Sequence, residues 1–214
     1  MAGVIAEGCQ LYIITPERFD LHTFPDLLAQ ALDAGDVAAV QLRLKNADDD
    51  VWKRAVDALR PVSQSRGVTF LLNDRADLAV AMGCDGAHVG QEDMPAPEAR
   101  RLMGPDLQLG VTCKSSPDLA SRAVEDGADY VAFGAFFPST SKQVTNLADP
   151  EILRWWAQRR QVPSCAIGGI TAANLAPLVL AGANFLAIIG GVWSHPEGPA
   201  AGVRAVNAAI KAAK

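Results

Sequence analysis

A chain of 214 residues, half of them hydrophobic and only 6% aromatic, can bury one sizeable core and is too short for several large ones. A formal charge of −5 excludes a general nucleic-acid or polyanion binder, which needs a basic surface to release counterions, so any anion must meet a local cationic site. No apolar run approaches the roughly 20 residues of a spanning helix, and Met1 to Gln10 carries Glu7 where a signal peptide would be basic and then apolar; the expectation is one cytoplasmic domain over residues 1–214.

Short apolar runs alternate with helical patterns from one end to the other. The first predicted strand is Gln10–Thr15, followed by Phe24, Leu27, Leu28, Ala31 and Leu32 at helical spacing. The second, Ala38–Leu42, runs out through Gln41-Leu42-Arg43-Leu44-Lys45. Strand alternation turns Gln41, Arg43 and Lys45 to one side, the interior if the sheet closes. Two cations and an amide facing inward are costly to desolvate unless they meet an anion, and a phosphorylated ligand is one candidate; a local acid paired with Arg43 at a solvated strand end is the other. Trp52, Ala55, Val56 and Leu59 mark the next helix.

The third strand, Thr69–Leu72, ends in Asn73-Asp74, and the fourth, Gly86–Val89, leads into Gly90-Gln91-Glu92-Asp93. Asp74 and Asp93 thus leave neighbouring strands, where two carboxylates and substrate phosphates could share one Mg²⁺. Asp93 could equally cap the helix that follows Met94-Pro95. Of the three histidines, His88 alone lies in a strand, while His22 and His195 read as loop residues.

Strands at Leu107–Val111, Tyr130–Phe133, Ser164–Ile167 and Phe185–Ile188 complete a set of eight. The sixth is followed by a long irregular stretch, Gly134 to Asp149, whose Ser139-Thr140-Ser141-Lys142 suggests a loop that closes over a site. The seventh ends in Gly168-Gly169 and the eighth in Gly190-Gly191, where backbone N–H groups can approach a phosphate; tight turns alone would also explain these glycines. Cys9, Cys84, Cys113 and Cys165 show neither disulfide nor metal spacing and read as small buried residues, and without a Ser-His-Asp or Cys-His arrangement no covalent nucleophile is expected.

A repeat ties these units together. Gly35, Gly83, Gly127 and Gly182 each follow a helix end and precede a strand with Asp36, Asp85, Asp129 or Asn184 near its start, at intervals of about two βα units. The glycines are expected to leave their helices in left-handed conformation. Fourfold repetition fits a closed (β/α)₈ barrel of parallel strands, whereas an open doubly wound sheet would leave the last strand as an edge. In such a barrel the active site lies at the C-terminal ends of the strands.

Taken in order, Q-x-R-x-K at Gln41 to Lys45, Asn73-Asp74-Arg75, His88 to Asp93, Lys142 in the long loop and Ala166-Ile167-Gly168-Gly169-Ile170 resemble the thiamine-phosphate synthase family over essentially the whole chain. The resemblance implies a TIM-barrel transferase that joins hydroxymethylpyrimidine diphosphate to a thiazole phosphate and releases pyrophosphate. It further implies that Gln41, Arg43, Lys45, Asn73 and Lys142 hold the diphosphate, with Asp74 and Asp93 on Mg²⁺. Arg43, Lys45 and Lys142 would then be the catalytic cations. Ser139, Ser141, Gly169, Ile189 and Gly190 would meet the thiazole phosphate, and Thr112 stands where the family often has a substrate-binding Ser. Gly190 departs from the family's usual Ser and removes a hydroxyl. The partners implied are small-molecule substrates, with no nucleic acid or membrane and a homo-oligomer left open. A sister group, the thiazole tautomerases, carries a histidine where this chain has Lys114, which favours the synthase. A non-catalytic barrel that binds thiazole or thiamine phosphates would have no need of both acids.

Overall fold

The computed structural model describes residues 8–138, 147–159 and 162–213. Eight strands form one closed sheet: β1 (Gln10–Ile14), β2 (Val37–Leu42), β3 (Thr69–Asn73), β4 (Gly86–Val89), β5 (Gln108–Thr112), β6 (Tyr130–Gly134), β7 (Ser164–Ile167) and β8 (Phe185–Ile188). Every pairing is parallel, and β8 returns to β1 with Leu186 beside Leu11. The predicted strand limits hold to within one residue.

Alternation along each strand divides the core in two. Leu11, Ile13, Val40, Leu42, Phe70, Leu72, Leu109, Val131, Phe133 and Leu186 face outward and pack beneath the helices. Tyr12, Ile14, Ala39, Leu71, Tyr130, Ala132, Cys165 and Ala187 face inward and fill the barrel. The helices are α1 (Phe24–Leu32), α2 (Asp49–Gln64), α3 (Ala76–Ala81), α4 (Ala96–Met103), α5 (Pro117–Glu125), α6 (Glu151–Ala157), α7 (Ala176–Leu180), α8 (Gly190–Trp193) and α9 (Pro199–Ala212). Trp52, Ala55, Val56 and Leu59 are all buried on α2, whose first turn is capped by the Asp48 carboxylate accepting from Val51 N–H at 2.8 Å. In α1 the stripe is Phe24, Leu28, Ala31 and Leu32, and Leu27 faces solvent. One turn of helix, α8, is interposed after β8, and its Trp193 Nε1–H donates to the Ile14 carbonyl at 2.7 Å.

The internal repeat has a mechanical basis at the N-terminal rim. The Asp85 carboxylate accepts the Phe70 N–H at 2.7 Å, Asp129 accepts that of Leu109 at 2.7 Å, and Asn184 Oδ1 accepts that of Ser164 at 2.9 Å. In each case an acid or amide ahead of one strand clamps the first turn of sheet in the strand before it. Gly83, Gly127 and Gly182 have positive φ, as expected of residues leaving a helix in left-handed conformation. Gly35 does not; a Cβ there would lie 3.0 Å from Asn207 Nδ2, a tight contact that the Asn207 side chain would have to relieve. Cys9, Cys84, Cys113 and Cys165 are all buried, and burial pushes the Cys84 and Cys113 thiols up to about 12. Among the described residues no helix is long and apolar enough to cross a membrane.

Candidate active site

The C-terminal rim of the barrel gathers the polar ends of β2, β3 and β4 into one connected row. Gln41 is only 3% exposed and its Nε2 donates to Asn73 Oδ1 at 3.3 Å. Asn73 Nδ2 in turn donates to Asp74 Oδ2. Asp74 has φ +63, a left-handed backbone uncommon for a non-glycine residue, and its N–H is held by the His88 carbonyl at 2.8 Å. Burial pushes the Asp74 carboxyl up to about 7, helped by the facing carboxyl of Asp93, while Arg43 and Asn73 pull the other way. Asp93 does not cap α4, which starts at Ala96 behind Pro95 with no side-chain cap; its Oδ2 instead accepts the Gly90 N–H at 2.9 Å and closes the β4 exit loop.

Arg43 and Lys45 do lie on one side of the β2 extension, and both reach a carboxylate: Glu17 Oε1 stands 2.6 Å from Arg43 Nη1 and 2.8 Å from Lys45 Nζ. Lys45 first and Arg43 second hold the Glu17 carboxyl below its usual range. Glu17 was not singled out in the sequence, although its place just beyond β1, in Thr15-Pro16-Glu17, puts it on the same rim. Thr15, fully buried, fixes the approach by accepting the Arg43 N–H at 3.0 Å.

Beneath the rim a line of polar groups crosses the barrel interior. Tyr12 Oη lies 3.0 Å from Tyr130 Oη, which lies 2.9 Å from His88 Nδ1, and His88 Nε2 lies 2.7 Å from Thr112 Oγ1. Burial drives the His88 imidazole down to about 4 and both phenols upward. The two tyrosines are the only ones in the chain, and that both fall on inward strand positions was a signal the sequence offered.

Around the rest of the rim, the stem of the long loop is fastened to the β7 exit by Phe136 N–H to the Ile167 carbonyl at 3.2 Å and Phe137 N–H to that of Gly168 at 3.0 Å. A Cβ on Gly169 would stand 2.4 Å from the Pro138 carbonyl oxygen, so packing against this stem is one reason for glycine there. Gly190 opens α8 with free space in front of it, and Ile189 packs on the inward cluster. Ser139, Ser141 and Lys142 lie outside the described residues. Lys114 also has positive φ, and its ammonium is 4.0 Å from the Glu92 carboxylate. Two shallow hollows of about 310 and 440 Å³ lie at the opposite end of the barrel around Gly35 and Asp36, away from this row.

A family model described as thiamine monophosphate synthase matches residues 11–192. The chain belongs to the thiamine monophosphate synthase family. A thiamine-phosphate synthase of Rhodospirillum centenum is 59% identical over 203 residues, covering 95% of this chain and 98% of that one. Another from Hyphomonas neptunium is 50% identical over 204 residues, covering 93% and 92%. A solved structure of thiamine phosphate pyrophosphorylase from Pyrococcus furiosus superposes with a TM-score of 0.83 at 29% identity, covering 95% of this chain and 96% of that one. Gln41, Asn73, Asp74 and Asp93, expected from the sequence to line the site, lie together in one row, with Arg43 and Lys45 beside it.

Proposed function

We propose that this enzyme, a transferase of the thiamine-phosphate synthase type, joins hydroxymethylpyrimidine diphosphate to a thiazole phosphate, forming thiamine phosphate and pyrophosphate. The observation that carries the reading is 59% identity with a named thiamine-phosphate synthase across 95% of the chain. The row at the C-terminal rim supports the roles of individual residues. Gln41 and Asn73, already hydrogen-bonded to each other, supply amide groups to the diphosphate or the pyrimidine. Arg43, Lys45 and Lys142 supply positive charge where the departing pyrophosphate accumulates negative charge. In this reading Glu17 occupies Arg43 and Lys45 until the diphosphate replaces it.

The Asp74 and Asp93 carboxyls suit Mg²⁺ chemically: they are hard oxygen donors, close enough that Asp93 raises the cost of ionising Asp74, and Mg²⁺ typically takes one or two carboxylates plus water and phosphate oxygens. Among the described residues no third His, Cys, Asp or Glu joins them. When bound, Mg²⁺ would supply divalent charge against the diphosphate oxygens.

Loss of pyrophosphate leaves a pyrimidine carbocation that the aminopyrimidine stabilises and the thiazole nitrogen captures. The protein's work is to orient the two substrates and to exclude water, with which the buried, neutral imidazole of His88 is consistent. Thr112, Gly169, Ile189 and Gly190, with Ser139 and Ser141, would serve the substrates through hydroxyl and backbone groups. A cytoplasmic location and a single domain belong to the same proposal. The test is to incubate the purified protein with both substrates and Mg²⁺ and to follow thiamine phosphate and pyrophosphate. Equal amounts of the two products are expected. Conversion of a thiazole tautomer without coupling, or no turnover at all, would overturn the reading.

A further inference from the structure

We infer that Tyr12, Tyr130 and His88 are positioning residues: they form a hydrogen-bond relay of fixed direction that presents the hydroxyl of Thr112 to the bound substrate as a donor. The inference rests on the synthase reading for what the donor serves. The direction itself comes from counting hydrogens.

Tyr12 is buried, and among the described residues its hydroxyl has one hydrogen-bond partner, Tyr130 Oη at 3.0 Å. Were Tyr12 the acceptor in that bond, its own hydrogen would be left without a partner inside the barrel, the more costly arrangement. Tyr12 therefore donates. Tyr130 then keeps one hydrogen, and the neighbour left to take it is His88 Nδ1 at 2.9 Å. An imidazole enclosed between two hydroxyls, with no carboxylate bonded to it, is neutral, so a ring whose Nδ1 accepts carries its proton on Nε2. That Nε2–H donates to Thr112 Oγ1 at 2.7 Å. The threonine oxygen is engaged as an acceptor, and its hydrogen has no other partner among the described residues. Thr112 ends β5 and is half-buried at the rim where the substrates are proposed to bind. What meets it must be an acceptor, such as a diphosphate oxygen or a pyrimidine ring nitrogen.

The surrounding packing is built to this line. Gly110 lies on β5 beside both His88 and Tyr130, and a Cβ there would stand 2.1 Å from Tyr130 Cζ and 2.5 Å from His88 Nδ1. Any side chain at Gly110 would occupy the space through which the Tyr130 to His88 hydrogen bond passes. The Gln91 side chain fixes the other end by donating from Nε2 to the Thr112 carbonyl at 2.6 Å.

Two measurements test the inference. In the wild-type protein labelled with ¹⁵N-histidine, the three imidazoles are resolved and His88 is assigned by its loss in His88→Asn. A neutral ring protonated on Nε2 is expected; an Nδ1–H tautomer or an imidazolium at neutral pH would overturn the relay. This arm needs no turnover, so it decides the relay even if the wild type proves not to make thiamine phosphate, which would sink the synthase reading alone. The kinetic arm compares Thr112→Val, the pair Tyr12→Phe with Tyr130→Phe, and all three changes together. The paired change keeps both rings and orphans neither hydroxyl. Thr112→Val and the paired change should each lower kcat/KM about tenfold, the worth of one well-placed hydrogen bond. Combined, they should fall no further than Thr112→Val by more than about twofold, because the tyrosines act through that hydroxyl. Losses that multiply would mean that the tyrosines matter only for packing and would overturn the inference.

Discussion

Asp74 combines three unfavourable conditions in one residue: a left-handed backbone, partial burial and a second carboxyl facing its own. A group held so is relieved by removing its charge, so Asp74→Asn should retain or gain stability in urea while Mg²⁺-dependent synthesis falls by about 10²-fold or more. Full activity at limiting Mg²⁺ would exclude the carboxyl pair as the metal site. Arg43→Ala, Lys45→Ala and Lys142→Ala should each lower kcat by a similar order, with KM for the thiazole phosphate little changed. If Arg43 and Lys45 serve only their ion pairs with Glu17 at the solvated rim, turnover will stay near normal and stability will shift by about 1 kcal/mol or less. His88 gives a pH signature. Its pKa falls from the ordinary 6.5 to about 4 on burial, so between those values the unfolded chain holds a proton that the folded one does not. The contribution is complete above pH 6.5 and is lost as pH falls towards 4. Relative to His88→Asn, the wild type should lose roughly 3 kcal/mol across that window in urea titrations. Asp74, shifted upward, runs in the opposite sense, and the comparison between the two proteins cancels it.

At the scale of elements, the clamps on the N-terminal rim explain why the repeat carries an acid or amide and not simply a glycine. Asp129 holds both the Leu109 N–H and the Arg100 guanidinium, so Asp129→Ala removes the acceptor of a strand N–H and the carboxylate of an ion pair, while Arg100 keeps its bonds to the Gly104, Leu107 and Gly127 carbonyls. A loss of about 1–3 kcal/mol is expected by urea denaturation. Asp36, the exposed member of the same repeat, engages no strand N–H through its carboxylate, and Asp36→Ala should stay within about 0.5 kcal/mol. Equal effects at the two positions would mean that the clamp does not stabilise the sheet. The strands themselves were legible to within a residue, because period-two patterning and flanking glycines are local properties. Leu27 shares the helical spacing of Phe24, Leu28, Ala31 and Leu32 yet faces solvent, because an apolar stripe wider than the contact face looks the same in sequence and only the placement of the neighbouring elements shows where the contact ends.

Closure of the barrel is what turns residues from separate strands into one surface. An acidic protein of net charge −5 can then carry cations on a single rim without becoming a general anion binder. At saturation, around 100 times Kd, pyrophosphate with Mg²⁺ should stabilise the folded chain by about 2.7 kcal/mol, a rise in Tm of roughly 5–10 °C for a protein of this size. The shift should be absent in Asp74→Ala; an equal shift there would show binding elsewhere. By itself the sequence determined the strands, their parallel order and the family motifs Gln41 to Lys45, Asn73-Asp74 and His88 to Asp93, because each is written in neighbouring residues. Tertiary structure alone decided that Glu17 holds Arg43 and Lys45, that Gly35 packs beside Asn207, and that Tyr12 meets Tyr130. The physical reason is distance along the chain: Tyr12 and Tyr130 are 118 residues apart, and a hydrogen bond between them exists only because β8 closes on β1 and turns both rings into the same dry interior.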